Sequence, residues 1–261
     1  MGVEAERDFV EHMRWDDVAR RIERGAAAIL PIGAAAKQHG LHLPLNTDHI
    51  QAERLAARLA GRIDALVWPT LTYGHYPAFV DYAGSTSLSA ATFEAMVMEI
   101  ASAILNHGCP ALFVLDTGIS TRASVERALA RLETGNALHL KIHDGPRYRR
   151  AAAALATQGH GSHADELETS LMLAIAPEVV EMWRAEASPA IAQAAPGRLT
   201  PTDETSPNFS RSGSFGDPTL ATIEKGKALL TAMLDDLTEQ ATSLLAKLSG
   251  STAGRIEGAA S

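Results

Sequence analysis

Hydrophobic and polar positions fall into short apolar runs that alternate with longer amphipathic stretches. The apolar runs predict strands at "AAAILPIG", "DALVWPTLTYG", "PALFVLDTG" and "NALHLKIHD". The stretch "TDHIQAERLAARLAGRI" opens with a Thr-Asp cap and continues with apolar residues at helical spacing. Strands that alternate with helices predict parallel βαβ units and an α/β fold.

Further helices are predicted by the same periodicity. They are "WDDVARRIERG", "SAATFEAMVMEIASAILNHG", "TRASVERALARLETG", "HADELETSLMLAIAP" and "DPTLATIEKGKALLTAMLDDLTEQATSLLAKL". The region from about 186 to 217 is rich in Pro, Ser and Gly and has no periodicity, which predicts a long surface loop near the site or at a subunit contact. Only one helix follows that loop. We therefore predict a single domain over 1–250 and a flexible tail over 251–261.

The order of the predicted strands also indicates where a ligand site should lie. Ligands of parallel α/β sheets bind beyond the carboxyl ends of the strands. These ends are the loops after Ile32, Leu115 and Ile142, and all three loops carry polar residues. His143 and Asp144 follow the last of these strands, where they either border the site or form a turn. No GxGxxG or P-loop pattern is present, so nucleotide binding is disfavoured.

Composition narrows the class of protein. The 261 residues are 46% hydrophobic and 21% charged, as in folded soluble domains. The net charge of −8 argues against a nucleic-acid binder. No apolar run approaches the ~20 residues of a membrane span, and the charged N-terminus lacks a signal-peptide core, so a cytoplasmic protein is expected.

Two polar clusters are candidates for chemistry. The first follows the first predicted strand and contains His39, His42, Asp48 and His49. Imidazole and carboxylate groups there could bind a divalent metal, but the segment could equally be a polar loop in which Asp48 caps the next helix. Lys37 stands two residues before the first histidine, and an ammonium group is an unexpected neighbour for a metal.

The second cluster, "GHGSHADELETS", holds His160, His163, Asp165, Glu166 and Glu168. Glu166 lies three residues after His163, so both side chains can point the same way from a helix. The helix dipole alone would also favour acids at this position.

Four segments in the right order resemble motifs of the creatininase family of amidohydrolases. "GAAAKQHGLHLPLNTD" is similar to the family opening G-(S)-x-E-Q-H-G-x-H-L-P-x-x-T-D, and "HADELETSLML" to H-A-G-E-x-E-T-S-x-M-L. "AGSTSLSAATF" resembles P-G-T-I-S-L followed by a helix, and "GSFGDPTLATIEKG" resembles G-x-x-G-D-P-x-x-A-x-x-E-K-G. The resemblance runs from about residue 29 to 240.

The resemblance implies a three-layer α/β/α sandwich with a mainly parallel sheet, often assembled into hexamers. It also implies hydrolysis of a small amide at a two-metal centre, in which the metals activate water and polarise a carbonyl. Carried over by motif, His39 and Glu166 would be ligands of one metal and Asp48 the bridging ligand. His163 would line the substrate pocket, and Glu168 matches the glutamate of the E-T-S motif.

Two positions depart from the family pattern. Lys37 stands in place of the glutamate before Q-H, and "DTGIST" replaces N-G-H-G-G-N, which puts Gly118 in the place of a ligand histidine. Both residues that would bind only the second of the two metals are therefore missing. We expect either one divalent metal (Zn, Mn or Fe) or none, with Lys37 supplying a positive charge that pairs with Asp48 or Asp116.

The sequence thus predicts an amidohydrolase with one metal, acting on a small molecule and assembled as a homo-oligomer. The predicted catalytic residues are Lys37, His163 and Glu168, the substrate-binding residues His75, Asp116 and Ser120, and the metal ligands His39, Asp48 and Glu166. A metal-free enzyme that uses Lys37, such as a lyase or isomerase, and a non-catalytic oligomeric binding or scaffold protein are the alternatives. No nucleic-acid or membrane partner is expected.

Overall fold

The sheet at the centre of the protein has four parallel strands. A computed structural model describes residues 7–132, 134–188 and 197–257, with side chains described as far as 250. The strands are β1 (Ala27–Ile32), β2 (Ala65–Val67), β3 (Leu112–Asp116) and β4 (Ala137–Lys141), in the order β2-β1-β3-β4. All neighbouring strands pair in parallel, as the alternation of strands and helices predicts.

Helices cover both faces of this sheet. Within the described residues they are α1 (Trp15–Glu23), α2 (Thr47–Ile63), α3 (Ala90–Asn106), α4 (Arg122–Ala130), α5 (Pro146–Leu155), α6 (Glu166–Ile175) and α7 (Ile223–Glu257). No helix in this part of the chain is both long and apolar enough to cross a membrane.

Alternate residues of the buried strands face opposite helical layers. Ile29 and Phe113 belong to an apolar cluster with residues of α2, α6 and α7. Leu30 and Val114, one position further along each strand, belong to a second cluster with residues of α3 and α4. Because side chains of a strand alternate in direction, a fully buried sheet needs an apolar layer on each side. The predicted three-layer α/β/α sandwich is confirmed.

Some local predictions differ from the structure. The segment "PRYRRAAAAL" forms α5, which no predicted element covered, although Pro at the first helical position after Gly145 is a helix-start signal. The last helix begins at Ile223, after a short 3-10 turn over Pro218–Leu220. It continues to Glu257, and residues 258–261 of the predicted tail lie outside the described residues.

The segment predicted as a surface loop runs partly through the interior. Residues 189–196 of it lie outside the described residues, but Ser210 and Ser214 are fully buried. Phe215 forms a backbone bridge with His163, and the carbonyl of Gly213 accepts a hydrogen bond from the Gln38 side chain. The described part of this loop therefore packs against the candidate site, one of the two places predicted for it.

Close contact between β1 and α2 brings the first polar cluster to the end of the sheet. A Cβ atom at Gly33 would lie 2.3 Å from the carbonyl oxygen of Asp48. The hydroxyl of Thr117, after β3, donates to the carbonyl of Ile32 at 3.1 Å. The amino end of α2 is thereby held against the carboxyl ends of β1 and β3, where a ligand site was predicted.

Candidate active site

Lys37 forms a buried ion pair at the end of β1. Its Nζ lies 2.6 Å from Oδ2 of Asp48 and 4.9 Å from the centre of the Phe79 ring. Burial by itself would raise the pKa of the Asp48 carboxyl, but the Lys37 ammonium and the His39 imidazole outweigh that effect and hold the pKa well below its usual range. Of the two acids predicted as partners of Lys37, Asp48 forms the ion pair.

His39 is held with one nitrogen facing two carboxylates. Its Nδ1 lies 2.8 Å from the carbonyl oxygen of Lys37, so Nδ1 carries a hydrogen and donates it. Nε2 then faces Oδ1 of Asp48 at 3.1 Å and Oε1 of Glu168 at 3.7 Å. A nitrogen lone pair that faces two carboxylate oxygens requires a cation among the three atoms, which is either a proton on Nε2 or a metal ion.

His163 presents a free lone pair to the same place. Its Nε2 lies 2.8 Å from the carbonyl oxygen of Gln38 and therefore donates, while Nδ1 lies 3.7 Å from Oε2 of Glu168. Burial, together with the nearby His39, lowers the pKa of His163 to about 3. The ring is therefore neutral at physiological pH, and its Nδ1 can bind a cation.

Three side chains together match the donor set of a metal site. Ligand atoms of His39, His163 and Glu168 all lie within 4.8 Å of one another. Ligand bonds of about 2.0–2.2 Å at tetrahedral angles separate ligand atoms by about 3.3–3.6 Å, close to the 3.7 Å between Oε1 of Glu168 and Nε2 of His39. Asp48 adds a fourth possible ligand atom, Oδ1, beside His39. The residues fit one divalent metal.

A second metal does not fit beside the first. Oδ2 of Asp48, the oxygen that would bridge to another ion, is already occupied by the Lys37 ammonium. Gly118 offers no side chain, and a Cβ there would lie 2.6 Å from the Thr121 hydroxyl. The Lys37 ammonium therefore occupies the side of Asp48 on which a second metal would need to bind, and Gly118 supplies no ligand there.

The strained backbone before α6 places Glu168. Ala164 has φ 46°, a left-handed conformation that is unfavourable for a residue with a Cβ. In this conformation its N–H donates to Oε2 of Glu168 at 2.6 Å. Asp165 caps the helix by accepting from the backbone N–H groups of Leu167 and Glu168, both at 3.0 Å. The turn therefore fixes one oxygen of Glu168 and leaves the other facing His39.

Glu166, predicted as a metal ligand, does not reach this group, and that prediction is corrected. Its carboxylate accepts hydrogen bonds from the backbone N–H of Thr157 at 2.8 Å and from that of Gln158 at 2.7 Å. It also forms an ion pair with the Lys225 ammonium. The one-turn spacing from His163 predicted a shared direction. However, α6 begins only at Glu166, so His163 lies outside the helix and helical spacing does not apply. Glu168 takes the place expected for Glu166.

The predicted substrate-binding residues have different surroundings. Asp116 is fully buried and accepts from the Thr121 hydroxyl at 2.7 Å and the Gly118 N–H at 3.0 Å, with His139 Nε2 3.1 Å from its other oxygen. Its carboxylate is engaged within the protein. The Nδ1 of His75 lies 3.0 Å from the carbonyl of Leu88, and His75 does not line the cavity beside the metal group.

That cavity has a volume of about 290 Å³. From the predicted site it is lined by Lys37, Asp48, Ser120, His163 and Glu168, and from the end of β4 and the start of α5 by His143 and Tyr148. The strand-end position of His143 signalled a possible place at the site. Tyr148 was missed because α5 was not recognised. Phe79, which contacts both Lys37 and His163, ends a short 3-10 turn over Pro77–Phe79 that no motif marks.

The remaining histidines of the two clusters are placed elsewhere. His42 is buried with Nε2 2.7 Å from the Thr169 hydroxyl, and burial lowers its pKa to about 4. His49 lies 3.5 Å from Glu53, one turn further along α2. His160 is exposed. None of these three residues belongs to the group of possible metal ligands.

Comparison with known proteins agrees with the motifs. The family model described as Creatininase, creatinine amidohydrolase, matches residues 11–241. Creatinine amidohydrolase of Pseudomonas putida is 26% identical over 259 residues, which cover 88% of this chain and 95% of that protein. The mycofactocin precursor peptide peptidase of Mycobacterium ulcerans (strain Agy99) is 28% identical over 226 residues, 80% of this chain and 81% of the relative.

The same likeness holds in three dimensions. The solved structure of "Creatininase Mn" superposes with a TM-score of 0.77 at 24% identity, over 89% of this chain and 96% of that chain. At this level of identity the superposition establishes the fold.

Proposed function

Because the chain belongs to the creatininase family of hydrolases, we propose that it hydrolyses a C–N amide bond of a small molecule with a single divalent metal. The ligands are His39, His163 and Glu168, with Asp48 beside them. The observation that carries this proposal is the convergence of ligand atoms of His39, His163 and Glu168 within 4.8 Å of one another, at one end of a cavity. The name of one related structure, "Creatininase Mn", supports a divalent metal of this class.

The chemistry that a bound metal supplies in such a site is Lewis-acid polarisation of a carbonyl and a lowered pKa of water. Lys37 lines the cavity and is held by Asp48, so its ammonium can donate a hydrogen bond to the negative charge that develops on the carbonyl oxygen. Glu168 is fixed through Oε2 by the Ala164 N–H, so Oε1 is the oxygen that faces the other metal ligands. The proton released by the attacking water passes to the departing amine.

Fixed side chains reduce the motion needed during the reaction. The carbonyl of Gln38 orients His163, and the carbonyl of Lys37 orients His39. Backbone partners of this kind hold ligand rings in one tautomer and one direction. The relatives named as a creatinine amidohydrolase and a peptide peptidase favour cyclic or linear amides as the substrates to test.

Metal analysis and amide hydrolysis test this proposal together. Protein incubated with Zn, Mn or Fe(II) and desalted should retain about one metal per chain, and release of amine from creatinine, formylated amides and dipeptides should stop on chelation and return with metal. Glu168→Gln should lose the metal. Glu166→Gln, the same substitution two residues earlier in the chain, should keep it. Wild-type protein that retains no metal would contradict the proposal.

A metal-free enzyme is the second candidate, and His39 is the observation that favours it. A proton on Nε2 would satisfy the two carboxylates that face it without any metal. Proton-transfer chemistry would then depend on Lys37, whose charge lies in the cavity. This enzyme should be resistant to chelation and inactivated in Lys37→Met, so the chelation experiment separates the two candidates.

We also propose, from the family resemblance, that the protein forms a homo-oligomer of up to six chains. Trp15 and Trp183 are 84% and 82% exposed in the single chain, which is unusual for tryptophan. Light scattering on the purified protein would test the assembly; a monomer at micromolar concentration would contradict it.

A further inference from the structure

A second cavity, much smaller than the active-site cavity, lies beside Lys37. Its volume is about 10 Å³, which is close to the space that one water molecule needs inside a protein. Lys37, Asp48 and Ser120 line both cavities, so the lysine side chain borders both spaces. The other side chains with polar atoms around the small cavity are Tyr76, Asp116 and Thr121.

Tyr76 contributes a buried hydroxyl group that forms no hydrogen bond in the described part of the chain. The residue is 1% exposed, and its hydroxyl oxygen is shielded from solvent. Burial raises the pKa of Tyr76 to about 12, although the nearby N–H of Gly74 opposes the shift. Because an N–H can only donate, the hydroxyl hydrogen still has no acceptor. A buried donor without an acceptor is costly, and native proteins commonly pair such groups with an ordered water.

The loop that carries Tyr76 is held by hydrogen bonds on both sides of the residue. The Tyr76 N–H donates to the Ser87 hydroxyl at 2.9 Å, and the Gly74 carbonyl accepts from the Leu88 N–H at 2.9 Å. Nδ1 of His75 donates to the carbonyl of Leu88 at 3.0 Å. These contacts fix the backbone from which the Tyr76 ring projects, so its position beside the small cavity is a property of the fold.

Lys37 has ammonium hydrogens to spare for the small cavity. Of the three, one is used in the ion pair with Asp48 at 2.6 Å. The other two have no acceptor atom within the described residues, although the ring of Phe79 lies 4.9 Å away. A water oxygen can accept two hydrogen bonds, one from Lys37 and one from Tyr76. The carboxylates of Asp48 and Asp116, which line the same cavity, can accept the hydrogens of that water.

We propose that the small cavity binds one water molecule, held by the Tyr76 hydroxyl and the Lys37 ammonium, and that Tyr76 is a positioning residue for Lys37. With one ammonium hydrogen on Asp48 and one on this water, the third is directed into the active-site cavity, where it can donate to an oxygen of the substrate. The water site rests on the cavity and the unpaired hydroxyl. The catalytic consequence rests on the proposed function.

Crystal structures of the wild type and of Tyr76→Phe test the water site. The substitution removes the hydroxyl and keeps the ring. In the wild type we expect one electron-density peak within hydrogen-bond distance of both Tyr76 Oη and Lys37 Nζ. In Tyr76→Phe the peak should be absent or displaced from the ring. A wild-type cavity without density, or a peak with the anomalous signal of a metal, would overturn the proposal.

NMR of lysine ammonium groups tests the positioning of Lys37. In ¹⁵N-labelled protein the order parameter of Lys37 Nζ should fall in Tyr76→Phe, because the ammonium loses a fixed acceptor. Tyr82→Phe is the matched control, since Tyr82 is also buried and its hydroxyl donates to the Ser210 carbonyl at 2.6 Å. This control loses a hydrogen bond within the protein, so it should be destabilised more than Tyr76→Phe and yet leave the Lys37 signal unchanged. An equal change in both variants, or no change in Tyr76→Phe, would contradict the positioning role.

Kinetics connect the water site to the proposed reaction. With an amide that the protein hydrolyses, Tyr76→Phe should lower kcat by about tenfold and leave KM nearly unchanged, as expected when a contact to the transition state is weakened. A rise in KM with kcat unchanged would contradict this role. The crystal structures and the NMR measurement need no turnover, so failure of the amidohydrolase proposal would appear only in the metal and amine-release assays.

Discussion

The ammonium nitrogen of Lys37 lies 2.6 Å from Oδ2 of Asp48, and both side chains are buried beside the candidate metal ligands. The other oxygen of Asp48 faces His39. One carboxylate thus joins a fixed cation on one side to a metal-ligand group on the other. This arrangement places a buried lysine ammonium directly beside the candidate metal ligands.

Removal of the lysine should be costly for the fold. Lys37→Met leaves the buried Asp48 charge without its ammonium partner, and we expect the free energy of unfolding to fall by about 3 kcal/mol in the presence of chelator. Lys141→Met, which breaks an exposed pair with Glu126, should cost less than about 1 kcal/mol. Urea denaturation measures both. If the Lys37→Met/Asp48→Asn double variant were as unstable as the sum of the single variants, the ion pair would not be the cause.

Glu166 and Glu168 should differ in the property that they affect. Glu166→Gln weakens the contacts to Thr157 and Lys225 and should lower the free energy of unfolding by about 2 kcal/mol, while metal binding persists. Glu168→Gln should reduce metal affinity by at least tenfold because it removes a ligand charge. Isothermal titration with Zn or Mn, alongside denaturation, checks both. Loss of metal binding in Glu166→Gln alone would restore the sequence-based assignment.

Glycine at the end of β1 should be required for the position of Asp48. In Gly33→Ala the new Cβ would lie 2.3 Å from the carbonyl oxygen of Asp48, so α2 must shift. We expect weaker metal binding and a loss of about 2 kcal/mol or more, as for other overpacked sites. Gly61→Ala provides the control, because it lies exposed on the same helix with no atom within 4 Å. It should stabilise the protein by about 0.5–1 kcal/mol.

The burial of His42 should make stability fall in mild acid. Its pKa is lowered from 6.5 to about 4 in the folded protein, so below pH 6.5 the unfolded chain binds a proton that the folded chain does not. Neutral His42 therefore makes its full contribution to the free energy of unfolding above pH 6.5. As the pH falls toward 4, about 2–3 kcal/mol of that contribution is lost. Denaturation of wild type and His42→Gln at pH 7.5 and 4.0 measures it. An equal drop in both proteins would show that other groups govern the acid sensitivity.

Most of the fold followed from the sequence because its signals are local. Apolar runs and helical periodicity placed the four strands and most helices, and the order of elements implied a parallel sheet. The helix α5 was missed because its polar start, "PRYRR", carries few apolar residues, so burial of Tyr148 against the site has no periodic signature.

The sequence by itself determined the family, the layered fold and the two polar segments that meet at the ends of β1 and β3. Lys37 and His39 could be assigned to the site because a short motif fixes them. Only the tertiary structure decided that Glu168 and not Glu166 faces His39, and that His143 and Tyr148 border the cavity. The physical reason is that side-chain direction depends on where a helix starts and on what packs against it, and neither is encoded in the spacing of residues along the chain.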